Sequence, residues 1–353
     1  MTPRALLNPE ASLLLACLQA QLHKDNNSGA THHLGDSDEI NWTLFLDHVR
    51  NHAVLPLVYK QLGTVCKDVP DFVLETLQRQ YRLHLGTNTA LTHQLLAILS
   101  LFQREGIAAI PFKGPSLAVL AYGDLALRPF SDLDIFVRRG DATQAKEVLQ
   151  AQGFKVVFPT RQQDERAWLR SHYHYTLTDA DRALDVEIHW GIAPSFLSFA
   201  VDEASLWQRA DSLVIQGQTV SRFSLEDQFM LLCIHGSRHL WERLGWLCDI
   251  AQLTQRPIVW PQLLAQAQRL GGERVLLLSL LLCHELLGGS LPSELAGRVQ
   301  QDKSLHRLAD IVYEGLFRSA SVRQKSAPTF FWTLQIRRRD RARLLFHLLR
   351  GKL

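Results

Sequence analysis

The spacing of apolar and polar positions divides the chain into three regions. Over residues 1–105 apolar side chains recur at helical intervals, in LLNPEASLLLACLQAQL, in WTLFLDHVRNHAVLPLVYKQL and up to LLAILSLFQREG. Between the first two, KDNNSGATHHLGDSDE is polar and reads as a loop. Over 106–220 the pattern changes to strands and short helices. IAAIPF reads as a buried strand, KGPS as a turn, LAVLAY as a short helix and SDLDIFVRR as a second strand. DATQAKEVLQAQG reads as a helix with Asp141 as N-cap and Gly153 as C-cap. FKVVFP, HYHYTLTD and ALDVEIHW read as further strands. From 221 to 353 helical spacing returns, starting at SLEDQFMLLCIHGSRH. There Ser224 and Asp227 make a capping-box-like start, with a shorter acid in place of the usual Glu or Gln. The expected architecture is α+β: a core with a mixed sheet at 106–220, flanked by helical regions at 1–105 and 221–353.

Composition narrows the class. Apolar residues make up 46% of the 353 and charged residues 21%, as in an ordinary globular protein of two or three domains. A net charge of +3 makes no case for a broad nucleic-acid footprint. Cys17, Cys66, Cys233, Cys248 and Cys283 form no CxxC pair, so reduced, buried thiols in a cytoplasmic protein are expected. The N-terminal apolar run is broken by polar residues and reads as an amphipathic helix, unlike a signal peptide. VLLLSLLLCHELLGG is shorter than the ~20 apolar residues a membrane span needs. It reads as a buried helix. At the C-terminus, Arg337, Arg338, Arg339, Arg341, Arg343, Arg350 and Lys352 flank a leucine stripe. This reads as an amphipathic helix with a solvated basic face; a membrane-surface or RNA contact is the sharper alternative.

The candidate chemistry sits in the middle region. Asp132 and Asp134, at i and i+2 on a strand, share one face, and Leu133, Ile135 and Val137 take the other. Burying a carboxylate is costly unless it is paired or bound to a cation. Such a pair can converge on a divalent ion, although DxD alone also occurs on solvated strand ends. The neighbourhood adds weight to the first reading. Gly114 and Ser116 lie in a strand-to-helix turn that can offer backbone N–H groups to phosphate. Lys113 and Arg128 add positive charge, while the Walker spacing is absent. Downstream, Asp185, Glu187 and His189 alternate with Leu184, Val186 and Ile188, as on a strand lining a cleft. Together these features point to metal-dependent phosphoryl or nucleotidyl transfer.

VLPLVYKQL, PFKGPSLAVLAY, LRPFSDLDIFV, the following GF, VEIHW and HGSRHLWERLGWLCDIAQL occur in that order between about residue 40 and 255. In these pieces the chain resembles a bacterial family of uncharacterised nucleotidyltransferases within the polymerase-β-like superfamily. The resemblance implies that Asp132 and Asp134 are paired metal ligands and Glu187 the third carboxylate, with Asp185 competing for that place. It implies a triphosphate cradle at Gly114–Ser116. Where the superfamily carries an adjacent Gly-Ser, this chain reads Lys113-Gly114-Pro115-Ser116, so the serine is displaced. The implied cofactor is Mg²⁺ or Mn²⁺, and the implied donor an NTP, ATP first. A nucleoside monophosphate would move to a hydroxyl of a small molecule, sugar or protein, with Asp185 or Glu187 as base. A catalytically inert nucleotide-binding or scaffold protein on the same fold is the competing class.

The histidines stay open. His235 and His239 share a helical face but lack the glutamate of HExxH, so they read as structural or substrate-contacting. His239, Arg243 and Asp249 are expected to face the cleft. His172 and His174 alternate with Tyr173 and Tyr175, on a half-exposed sheet face or an acceptor-side wall. His189 reads as a substrate contact, a packed histidine, or a hydrogen-bond partner that fixes Glu187 or Asp132.

Overall fold

The computed structural model describes residues 7–23, 40–158, 165–181, 183–193, 199, 202–317 and 320–335. The polar segment 24–39 and the basic residues from Arg337 onward lie outside this set. The chain begins with α1 (Pro9–Leu22), α2 (Trp42–Asn51), α3 (Leu55–Val65) and the long α4 (Asp71–Arg104). Next come β1 (Ala109–Pro111) and α5 (Gly114–Leu117), which continues as a π turn over Ala118–Tyr122. Then follow β2 (Asp132–Val137), α6 (Ala142–Ala151), β3 (Lys155–Phe158), α7 (Glu165–Ser171), β4 (His174–Asp179) and β5 (Leu184–His189). After α8 (Glu203–Gln208) come β6 (Asp211–Ile215) and β7 (Gln218–Arg222). The remainder is helical: α9 (Leu225–Arg238), α10 (Leu244–Leu253), α11 (Trp260–Leu270), α12 (Glu273–Leu287), α13 (Ser293–Gln301), α14 (Lys303–Phe317) and α15 (Ala320–Leu334).

Two compact units emerge, His84–Leu231 and Met1–Leu83 with Leu232–Leu353. The first holds a five-stranded mixed sheet in the order β1-β2-β5-β4-β3. β2 and β5 pair in parallel; the other pairings are antiparallel. Alternation gives the sheet two different faces. Leu133, Ile135, Val137, Val186 and Ile188 form one buried core with Leu95 and Phe102 of α4 and Leu149 of α6. Each such side chain contributes about 1.5–3 kcal/mol on burial. On the other face Phe136 joins Ile110, Phe112 and Phe223, and the acids lie beside this smaller cluster.

Several local expectations hold. Ser224 accepts a hydrogen bond from the Asp227 backbone N–H at 3.1 Å and donates to its carboxylate at 2.7 Å. Arg209 clamps the same carboxylate with two bonds of 2.8 Å. The C-cap of α6 is Gln152, one residue before the expected Gly153, which takes a positive φ of +96°. Asp141 stands at the N-cap position but makes no capping bond. Its backbone, entered through a 3₁₀ turn, is already helical at φ −94° and ψ −8°. His172 lies before β4 and stacks on Trp168, so the expected His172/His174 alternation on one strand does not form.

In the helical unit α12 is buried along most of its length, as its composition requires. Its last carbonyls accept bonds from α1 and from the C-cap of α1: Gln19 Nε2 reaches Leu286 O, and Nε2 of the C-cap His23 reaches Leu287 O, each at 2.9 Å. The five cysteines are buried and free. Burial pushes the Cys233 thiol up to about 12. Among the described residues, no helix is long and apolar enough to cross a membrane.

Candidate active site

The site grows from strand register. Asp132 faces Asp185 across the β2–β5 pair, Asp134 faces Glu187, and Phe136 faces His189. On β4, Thr176 lies opposite Glu187 and His174 opposite His189. One sheet face therefore carries rows of acid, hydroxyl and imidazole side chains.

Asp134 is 2% exposed. Its Oδ1 lies 2.6 Å from Lys113 Nζ and 3.1 Å from His189 Nε2. The same His189 nitrogen lies 3.0 Å from Glu187 Oε2. Asp134, Glu187 and His189 offer ligand atoms that all lie within 4.8 Å of one another. Asp134 Oδ2 is buried and has no hydrogen-bond partner. An orphaned carboxylate oxygen is costly in a dry site, and a bound cation would relieve it. Carboxylate oxygens form the hard donor set that suits Mg²⁺ or Mn²⁺, so these residues fit a divalent ion.

The two aspartates titrate in opposite directions. Burial, with the Asp134 and Glu187 charges, pushes the Asp132 carboxyl up to about 6 against the pull of Lys113 and Arg128. Burial would also raise Asp134, yet the Lys113 charge and the His189 hydrogen bond outweigh it and hold that carboxyl below the usual range. Glu187 is lowered as well: burial opposes the shift, and the His189 hydrogen bond overcomes it. For His189 burial acts downward, and its bonds to Asp134 and Glu187 carry it upward.

The turn after β1 sets Lys113 in place. Phe112 N–H donates to Asp134 O at 3.3 Å, and Gln228 Nε2 donates to Phe112 O at 2.8 Å. The Phe112 ring stands edge-on to His189, with centroids 5.0 Å apart. Gly114 has φ +52°, and a Cβ there would lie 3.4 Å from the Asp132 carbonyl. Glycine lets the turn hug β2 in a left-handed conformation.

The family model described as uncharacterised nucleotidyltransferase matches residues 38–288. The chain belongs to this nucleotidyltransferase family. No curated protein matches it. The family implies a nucleoside triphosphate substrate, and its usual dependence on a divalent metal agrees with the donor set on β2 and β5.

In this nucleotidyltransferase, Asp134, Glu187, His189 and Lys113 come together, while Asp132 feels the Asp134, Lys113, Glu187 and Arg128 charges but lies outside the Asp134–Glu187–His189 group. Asp185 is exposed and lies outside the Asp134–Glu187–His189 cluster. Ser116 is buried in α5. His239 and Arg243 belong to the helical unit. Sequence reasoning missed Asn88. Fully buried on α4, its Nδ2 donates to Leu125 O at 2.6 Å and Arg128 O at 2.9 Å, holding the loop that carries Arg128. Burial lowers His84, one turn earlier, while a hydrogen bond to the Arg128 backbone acts upward. The available signal was two polar side chains at i and i+4 on a helix, His84 and Asn88.

Proposed function

We propose that this nucleotidyltransferase moves a nucleoside monophosphate from an NTP, ATP first, to a hydroxyl on a small molecule, sugar or protein. The observation that carries the reading is the orphaned, buried Asp134 Oδ2 beside Glu187 and His189. Asp132, Asp134 and Glu187 would hold Mg²⁺ or Mn²⁺, which when bound neutralises phosphate charge and acidifies the attacking hydroxyl. Lys113 engages Asp134 Oδ1, which keeps Oδ2 available to the cation. Lys113 and Arg128 also offset the triphosphate charge, and the backbone at Gly114, where the chain enters α5, cradles it. His189 fixes the Glu187 and Asp134 carboxylates relative to each other. A bond forms between the acceptor oxygen and the α-phosphorus, and the α–β phosphoanhydride bond breaks. Pyrophosphate leaves, and the acceptor proton passes to Asp185. Its exposure and its place beside Asp132 support that role over Glu187, which is already tied to His189.

Calorimetric titration of NTPs in Mg²⁺ tests the reading, wild type against Asp132→Asn/Asp134→Asn. Metal-dependent binding that disappears in the double variant is expected, and labelled ATP then screens acceptors. A well-folded wild type that binds no NTP would overturn the enzyme reading in favour of an inert scaffold.

A further inference from the structure

The two oxygens of the Asp134 carboxylate have different surroundings, and the difference bears on how many cations the site takes. Oδ1 meets two nitrogens, Lys113 Nζ at 2.6 Å and His189 Nε2 at 3.1 Å. An ionised carboxylate has about two lone-pair sites on each oxygen, so these contacts use the capacity of Oδ1. Oδ2 is buried and meets no partner. Asp134 therefore has one oxygen to give to a metal ion. A carboxylate that serves a pair of ions about 3.5–4 Å apart gives an oxygen to each. Glu187 is partly committed too, with its Oε2 3.0 Å from the same His189 nitrogen.

The ammonium at Oδ1 is held there by its surroundings. Phe112, one residue before it, donates its N–H to Asp134 O at 3.3 Å and accepts from Gln228 Nε2 at 2.8 Å. Lys113 is extended at the entry to α5, and its own carbonyl accepts from Leu117 N–H at 3.4 Å. Its Nζ lies 5.4 Å from the centroid of the Phe112 ring. The Lys113 side chain is 15% exposed and that of Asp134 1%. A lysine normally keeps its charged head in water. This one turns inward onto a buried acid, as a compact point charge with no ligand sphere of its own to fill.

We propose that the Lys113 ammonium takes the place of one cation of a two-ion site, so that the chain binds a single divalent ion through Asp134 Oδ2. The inference rests on the metal site of the proposed function and adds its ion count. Removing the ammonium frees Oδ1 and deletes a positive charge beside the site, so a second divalent ion can enter. A lysine that only braced Asp134 would act in the opposite sense, because its loss would loosen the carboxylate and weaken metal binding.

The test is Mn²⁺ titration of the full chain at constant ionic strength, read by electron paramagnetic resonance with and without α,β-methylene ATP. Wild type binds one Mn²⁺, with an uncoupled spectrum in both conditions. Lys113→Met, of similar length and without charge, binds two, with the spin-coupled spectrum of neighbouring ions and unchanged circular dichroism. Lys113→Arg stays at one. A spin-coupled pair in wild type, or no added ion in folded Lys113→Met, overturns the proposal. Should Lys113→Met not fold, the wild-type spectrum decides. Wild type that binds no Mn²⁺ overturns the metal reading and this inference with it, whereas a coupled pair in wild type overturns this inference alone.

Discussion

Asp132 and Asp134 differ by one turn of strand pleat and have opposite effects on stability. The folded carboxyl of Asp132, at about 6, lies above its ordinary value of about 3.9. Between those values the folded state binds the extra proton, so cation-free protein loses stability as pH rises through the window. Asp132→Asn should therefore stabilise cation-free protein above pH 6, on the order of 1–2 kcal/mol, with no gain below about pH 4. Urea unfolding in EDTA measures this directly. Asp134→Asn should do the reverse, costing about 3 kcal/mol, because Lys113 is left without its buried partner. If Asp132 is a ligand as proposed, the same titration governs the cation. Mn²⁺ affinity should fall about tenfold per pH unit as the solution is acidified below the Asp132 value, because a proton then competes for the carboxylate. An Mn²⁺ affinity that stays flat from pH 7.5 to 5 would exclude Asp132 as a ligand.

At the scale of elements, the site depends on contacts that hold loops to strands. Asn88 ties the Arg128 loop to α4 through two buried bonds. Asn88→Leu should cost about 2 kcal/mol in stability by leaving two carbonyls unpaired. It should also lower NTP affinity, and adding Arg128→Gln to it should cause little further loss if the two act through one loop. A double-mutant cycle decides. On α9, Gly236→Ala should cost roughly 1–3 kcal/mol, since the new methyl meets the Trp241 ring. Legibility in the sequence follows contact range. The acid rows were readable because strand alternation has a period of two, which puts Asp132 with Asp134 and Asp185 with Glu187 on shared faces. The β6–β7 hairpin was not. Its turn is Gln216-Gly217, and Gln216 takes φ +47° where the familiar signal is Asn-Gly or Asp-Gly. Lys113 pairs with Asp134 across 21 residues, and Asn88 reaches Arg128 across 40. Such pairings are products of tertiary packing and leave no periodic trace.

Across the molecule, the acids meet only when distant strands pair. His189 and Asp134 are 55 residues apart, joined by the parallel β2–β5 ladder with α6, β3, α7 and β4 between them. Parallel pairings of this range are slow to form, because loop closure precedes the reward. A slip of one residue along β2 would turn Leu133 and Ile135 toward the acid row and drive Asp132 and Asp134 into the apolar core. A misthreaded sheet would therefore have no intact cation site. A divalent ion would bind only the correctly threaded chain, acting as a proofreader of strand order as well as a cofactor. Refolding from urea should recover more native protein with Mn²⁺ present than with EDTA, and the advantage should vanish in Asp132→Asn/Asp134→Asn.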